Sequence, residues 1–322
     1  MSMPRAGAML LGCVVGGVST ALAQTYPIKP VRFLVGFAPG GATDVSARML
    51  GQRLAETLGQ PVVVENRPGS GGLLATEAVA KAAADGYTLL MMPAADAVQP
   101  AIRKRLPYDL ERDFAPVGRV VTGPWVMVVH PSVPARSVSE LVALARSRPG
   151  KLNYGTSGVG SSAHLANELF NTMARVKIVH VPYKGISEGV TAAAAGQIDM
   201  IIASITAARP MLNARRIRSL GVTTLKRTRL LPEVPTLDEA GISGYDRSGW
   251  YGVLAPANVS RDIVSRLNVA IGAVVNTAAM TEAFHRQGLE PATMSPEAFG
   301  TFVQREVAQN IKVVKEAAIA VE

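Results

Sequence analysis

Along this chain a short apolar run, a glycine break and a helix-spaced stretch follow one another repeatedly, and that alternation limits what it can fold into. Residues 31–37 read VRFLVGF, β-rich and continuous enough for a strand buried on both faces. Pro39, Gly40 and Gly41 break the run. Val45, Met49, Leu50, Leu54 and Leu58 then recur at helical spacing, and Gly59 ahead of Pro61 supplies a stop. A second run, Val62-Val63-Val64, leads through the turn-rich NRPGSGG at 66–72 into an alanine-rich helix reaching about Ala84. A third strand covers 88–92. Strand, helix and strand in this order predict a parallel α/β sheet with right-handed crossovers.

The pattern then recurs. A crossing strand at 125–130 precedes a helix at 139–148, a short strand at 151–154, a glycine-rich loop at 155–162 and a helix at 164–173. Leu165, Leu169, Phe170 and Met173 share one face of that last helix. Strands at 176–181, 198–203 and 219–223 flank a helix at 187–195. SGWYGVLAP at 248–256 reads as a strand between breakers, and the chain from 260 onward is helical. Those C-terminal helices have no sheet of their own, so they are expected to pack back on the first unit. Domain 1 is then discontinuous, 24–125 plus 251–322, with domain 2, 126–250, inserted between two crossing strands.

Residues 1–23 stand apart. One positive charge at Arg5, an apolar stretch over 6–18 and the small-residue pattern Ala21-Leu22-Ala23 predict a secretory signal peptide cleaved after Ala23. A membrane anchor fits less well, because the apolar stretch is short and glycine-rich. Leu10-Leu11-Gly12-Cys13 offers a lipoprotein box as an alternative, though few apolar residues precede Cys13. Cys13 is the sole cysteine, so neither a disulfide framework nor a cysteine-based zinc site is available. The net charge of +9 would suit nucleic acid, but aromatics are only 5% of the chain and give little to stack bases on. Arg103-Lys104-Arg105 and Arg215-Arg216-Ile217-Arg218 are short and separated, as solvated faces are. The charge reads as general attraction for small anions.

Two loops lie between the carboxyl end of a strand and the start of a helix, where α/β proteins place ligands. One runs over 36–44 and the other over 155–162. Each has the glycine spacing of a phosphate loop, Gly36 to Gly41 and Gly155 to Gly160, but Ala42-Thr43 and Ser161-Ser162 follow where that loop carries its lysine. Exposed N–H groups at a positive helix end can still hold a carboxylate. Asp44 is either the N-cap or first-turn acid of its helix, or it serves the site by accepting a hydrogen bond from a ligand amine, amide or hydroxyl or by holding the loop. Thr156, Ser157, Ser161 and Ser162 are either turn formers and caps or hydroxyl donors to a carboxylate. His164 with Glu168 lacks a third metal ligand, which makes a packed first-turn histidine the better reading. Tyr183-Lys184-Gly185 and Ala203-Ser204 also fall at strand ends. There is no GxSxG elbow, no GxGxxG fingerprint after the first strand and no triad order around Ser161 and His164, which leaves a serine hydrolase with little support.

Several blocks occur together and in order: Phe37-Ala38-Pro39-Gly40-Gly41 with Asp44, Val63-Val64-Glu65-Asn66-Arg67-Pro68-Gly69, Asp85-Gly86-Tyr87-Thr88 and Leu106-Pro107-Tyr108-Asp109. Further on come Gly150-Lys151-Leu152-Asn153-Tyr154, His180-Val181-Pro182-Tyr183-Lys184-Gly185 and Leu231-Pro232-Glu233-Val234-Pro235-Thr236. In these blocks the chain resembles the Bug family of periplasmic solute-binding receptors, associated with tripartite tricarboxylate transporters. The resemblance runs from Tyr26 to Lys315.

It implies an α/β, two-lobed periplasmic binding protein of type II-like build, each lobe a mainly parallel sheet flanked by helices, joined by two crossing strands. It implies no enzyme and no cofactor, but a monomeric exported receptor that closes on a dicarboxylate, tricarboxylate, acidic amino acid or aromatic acid. The partner implied is a set of membrane transporter subunits, with a sensor kinase as the alternative. The binding positions carried over are Phe37, Ala38, Gly40, Gly41 and Asp44 in the first loop and Thr156, Ser157, Gly160, Ser161 and Ser162 in the second, completed by His164, Lys184 and Ser204. The carboxylate is expected on the N–H groups of Gly40-Gly41 and of the helix starting at Ser161, directly or through waters. After Ala203 the sequence continues Ser204-Ile205, without the acidic or amide residue many relatives carry there, which implies less recognition of a second polar group.

Overall fold

The computed structural model describes residues 26–321, so the signal segment and Cys13 lie outside the described residues. The first alternating unit comprises β1 (Val31–Val35), α1 (Ala42–Leu58), β2 (Val62–Asn66), α2 (Leu73–Ala80), β3 (Thr88–Pro93) and the short α3 (Gln99–Ile102). Val31, Phe33, Leu34 and Val35 of β1 are buried, while exposed Arg32 grips Glu65 of β2 through Nε at 2.7 Å and Nη2 at 2.8 Å. A surface pair of this kind adds little stability. Burial of the run is what holds the strand. Helix α1 turns Ala47, Leu50, Leu54 and Leu58 inward and ends at Gly59, whose φ of 70° suits glycine.

The long β4 (Phe114–Val129) leads to α4 (Val138–Ser147), β5 (Asn153–Thr156), α5 (Ser162–Ala174), β6 (Val179–Pro182), α6 (Ile186–Ala194), β7 (Met200–Ser204), α7 (Ile205–Asn213) and β8 (Arg218–Val222). The chain returns along β9 (Ser248–Pro256) and finishes with α8 (Arg261–Val275), α9 (Ala278–Arg286), the two-residue β10 (Glu290–Pro291) and α10 (Pro296–Glu316).

Strand β4 belongs to both halves of the molecule. From Phe114 to Pro124 it pairs antiparallel with β9; from Trp125 to Val129 it pairs antiparallel with β7 and β8. The first half is ordered β2-β1-β3-β9-β4 with β10 on the outer edge of β4, and the second is β8-β4-β7-β5-β6. In each, three strands run parallel, β2-β1-β3 and β7-β5-β6; β9 runs antiparallel to the first trio and β4 antiparallel to the second. Pro124, which has no N–H to donate, sits where β4 changes partners.

Helices cover both faces of both halves. Leu50, Leu54, Leu267, Ile271 and Phe284 fill one face of the first sheet, and Leu34, Leu90, Trp250 and Phe299 the other. In the second half Leu141, Leu165, Phe170 and Ile202 lie on one side, Val190, Ile198, Ile201 and Ile205 on the other.

Helix α10 differs from the sequence expectation that the C-terminal helices pack on the first unit alone. Its Phe299, Phe302 and Val303 join the core around Trp250, whereas Val313 and Val314, followed by Ile319, join the core of the second half with Leu141 and Leu165. A 21-residue helix spans about 30 Å, enough to lie across both. Gly252 makes the close approach possible, since a Cβ there would stand 2.1 Å from Phe299 Cζ. Beside this contact Arg247 donates to Glu306 Oε2 at 3.4 Å and to Asn310 Oδ1 at 2.6 Å, and Trp250 Nε1 donates to Glu306 Oε2 at 3.2 Å. Asn310 Nδ2 in turn donates to the Ala97 carbonyl at 2.8 Å. All four side chains are buried, so the returning strand is tied to α10 by a satisfied polar network.

Candidate functional site

A cavity of about 430 Å³ lies between the two halves, within the range of small-ligand sites. The first half contributes Phe37 at the end of β1, Gly71 before α2, and Ala95, Val98, Gln99 and Ile102 around α3. The second contributes Ser157, Gly160, Ser161, Ser162 and Ala163 at the start of α5, Ile186 at the start of α6, and Ile202, Ala203 and Ser204 at the end of β7. Trp125, where β4 crosses, completes the lining.

The local sequence explains how α5 points its end at this space. Ser161 has extended backbone, accepts from the His164 N–H at 3.2 Å and donates its own hydroxyl to the Gly158 carbonyl at 2.8 Å. That is an N-cap, and it leaves the N–H groups of Ser162 and Ala163, the first two of the helix, facing outward without intrahelical partners. Ser204 caps α7 in the same manner, accepting from the Ala207 N–H at 3.3 Å. The hydroxyls of Ser157 and Ser162 make no hydrogen bond among the described residues.

Beneath this loop three rings form a column. His164 and His180 are stacked at 3.9 Å between centroids, and Tyr154 lies 5.2 Å from His180. His164 Nδ1 accepts from the Gly160 N–H at 3.1 Å, so that nitrogen carries no proton. Burial, and then the neighbouring His180, push His164 down to about 4; burial also lowers His180. His180 Nε2 is hydrogen-bonded to Thr156 Oγ1 at 2.6 Å, and the same hydroxyl holds the Gly158 N–H at 3.1 Å. Tyr154 closes the column through its hydroxyl on Glu168.

Six of the sequence-predicted residues therefore meet at the cavity: Phe37, Ser157, Gly160, Ser161, Ser162 and Ser204. Thr156 and His164 are buried behind them as loop supports. Asp44 is buried too, and both its oxygens are engaged: it accepts from the Gly40 N–H at 2.8 Å, Arg48 Nε at 3.0 Å and Asn66 Nδ2 at 2.8 Å. Burial alone would raise it, but these donors outweigh that and hold it below the usual carboxylate range. Asp44 is thus the first-turn acid of α1 and holds the Gly40 loop. At the expected carboxylate seat, Gly40-Gly41, the Gly40 N–H goes to Asp44 and the Gly41 N–H to the Ala38 carbonyl at 3.3 Å, and none of Ala38, Gly40 and Gly41 lines the cavity. Lys184 is exposed and outside the lining; its N–H donates to Glu188 Oε2 at 3.0 Å and so caps the start of α6.

Sequence reasoning missed Gln99, Ile102 and Trp125, which carry no motif and reach the cavity only through the path of the fold. It also missed Asp96, 1% exposed beneath Gly72, where a Cβ would stand 2.6 Å from Asp96 Oδ1. That oxygen has no hydrogen-bond partner among the described residues, and burial, partly offset by the Thr76 hydroxyl, pushes the carboxyl well above its usual range. No group of three or more metal-ligating side chains converges among the described residues.

Residues 46–319 match the family model of the tripartite tricarboxylate transporter family receptor. The chain belongs to that receptor family. A Pseudomonas sp. (strain P51) relative, the UPF0065 protein in the tcbD-tcbE intergenic region, is 40% identical over 91% of this chain and 88% of its own length. Protein BugT of Bordetella pertussis is 36% identical over 91% of each. Among solved receptors, R. palustris Rpa4515 with adipate has a TM-score of 0.75 and 38% identity, covering 92% of this chain and all of its own. MatC of Rhodopseudomonas palustris with bound malate gives 0.70 and 30%, covering 90% of this chain and all of its own. The periplasmic binding protein BugD gives 0.72 and 30%, covering 92% of this chain and all of its own. Members of the receptor family are periplasmic solute-binding proteins, and the fold here, a mixed sheet flanked by helices whose two halves share β4, is theirs.

Proposed function

We propose that this protein is an extracytoplasmic receptor that captures a small carboxylate in the cavity between its lobes and hands it to a tripartite tricarboxylate-type membrane transporter. The observation that carries the reading is the start of α5: Ser161 caps the helix, and the N–H groups of Ser162 and Ala163 open on the cavity together with the hydroxyls of Ser157 and Ser162. Outward N–H groups and the positive helix end suit an anion without a lysine or arginine. Adipate and malate in the two solved relatives are carboxylates of fitting size. The lobes divide where β4 changes partners, near Pro124 and Trp125, and where β9 begins. A ligand touching both lobes favours the closed form by its differential affinity for it.

A receptor role also fits the hydrogen bonds of Ser161. Its proton goes to a carbonyl and its lone pair to the His164 N–H, while the His164 ring faces Gly160, so no base stands ready to activate the hydroxyl. Export, cleavage after Ala23 and action as a monomer in the periplasm complete the reading.

Mass spectrometry of the small molecules released from purified protein, paired with membrane pull-down, tests it. A co-purified organic acid and capture of transporter subunits are expected. A neutral sugar or peptide in the cavity would overturn the ligand class, and capture of a sensor kinase alone would overturn the delivery role.

A further inference from the structure

Although the family binds acids, no Asp, Glu, Lys, Arg or His lines this cavity among the described residues. Its polar side chains are unevenly placed. The hydroxyls of Ser157, Ser161, Ser162 and Ser204 all stand on the second lobe, together with the free end of α5. The rest of the lining is apolar, with Phe37 from the first lobe, Ala95, and Val98 and Ile102, which pack toward the core of the second half with Ile102 against Gly160; Gln99 is the one further polar side chain there among the described residues. Even Gln99 is partly spent, since its Oε1 accepts from Arg103 Nε at 2.8 Å. Arg103 itself is not among the cavity-lining residues and lines a separate hollow with Pro100, Lys104 and Leu106. The ionisable group buried behind Gly72 is an acid, Asp96, which supplies no positive charge. Trp125, Ile186 and Ile202 extend the apolar surface around the middle.

A carboxylate moved out of water needs donors in return, and the second lobe has them. A second carboxylate at the far end would face carbon without a cation, and burying an ion unpaired is costly. Hydrocarbon against the same wall gains by leaving water. We propose that the site selects monocarboxylates with an apolar body, the carboxylate at the start of α5 and the hydrocarbon against Phe37, Ala95 and Trp125. This rests on the carboxylate reading above.

The test compares hexanoate and 3-phenylpropanoate with adipate, titrated calorimetrically into full-length exported protein freed of bound ligand. Both monoacids are expected to bind at least tenfold tighter than adipate. Adipate binding equally well or better overturns the selectivity and leaves the carboxylate reading standing; no binding by any of the three overturns both. In Phe37→Lys, which supplies the missing cation from the first lobe, adipate should gain at least fivefold on hexanoate. A ratio that stays at the wild-type value, in a variant that still binds hexanoate, counts against the assignment of the apolar wall.

Discussion

His164 and His180 stack face to face, ring centroids 3.9 Å apart, beneath the loop that lines the cavity, and His164 Nδ1 takes the Gly160 N–H that holds this loop in place. Protonation at Nδ1 would set a donor against a donor. The pair thus makes the binding loop sensitive to acid.

The direction follows from the lowered values. Both histidines bind protons more weakly folded than unfolded, so stability rises with pH wherever the unfolded state holds the extra proton. The contribution of His164 is full above about 6.5, falls as the pH drops below that value and is gone by about 4. Melting temperature should decline over this window, and carboxylate affinity with it. In His164→Asn, whose carbonyl oxygen can accept from Gly160 but does not titrate there, the slope should flatten. A series of thermal melts from pH 4 to pH 7.5 on both proteins decides the matter, and an unchanged slope in the variant would tell against the stacked pair.

The buried Arg247–Glu306 pair predicts a large stability effect. Glu306→Ala strands a buried guanidinium and removes the acceptor of Trp250, so a loss of about 3–5 kcal/mol is expected. Replacing both charges by apolar residues, Arg247→Met with Glu306→Leu, should restore much of it, because a well-packed apolar pair costs no desolvation. Urea unfolding, with midpoint and slope both fitted, measures the difference. A single variant within about 0.5 kcal/mol of the parent would contradict this account.

Ser161 separates capping from binding. Ser161→Ala should cost about 1 kcal/mol through the lost cap. Ser161→Asp keeps a capping acceptor, so stability should hold, yet it sets a negative charge where the ligand carboxylate is to sit. Hexanoate affinity in that variant should fall more than tenfold by calorimetry. Retained affinity would place the carboxylate elsewhere.

Gly252 tests how closely α10 must approach the sheet. With a Cβ placed 2.1 Å from Phe299 Cζ, Gly252→Ala should lose about 1–3 kcal/mol, and Phe299→Leu in the same chain should recover part of the loss. Chemical denaturation of the single and double variants gives the coupling.

Much of this architecture was legible in the chain because burial writes itself as runs. Phe33 to Val35 and Leu89 to Met92 are apolar in sequence because both faces of those strands are covered there. The start of β4 was not legible: Pro116, Gly118 and Gly123 read as breakers, and the strand absorbs the first two at a register shift against β9. Nor does the pattern of α10 say that its two ends serve different cores, since both read as one amphipathic stripe. At the site, glycine and serine loops announced themselves through turn chemistry. Gln99, Ile102 and Trp125 did not, because a cavity wall far from any motif is made by tertiary approach. Lys184 drew notice as a cation at a strand end, but only the fold shows that it heads α6 in solvent.

The central claim, that an anionic carboxylate is what the cavity holds, is tested most directly by titrating ligand-free protein with hexanoate and with its neutral isostere hexanamide. The two differ little in shape, so their difference isolates the charge. The account predicts saturable one-to-one binding of hexanoate, with hexanamide weaker by at least a factor of about 100, the strength of roughly two charge-assisted hydrogen bonds. Equal binding of the amide, or binding of hexanamide without hexanoate, would contradict it.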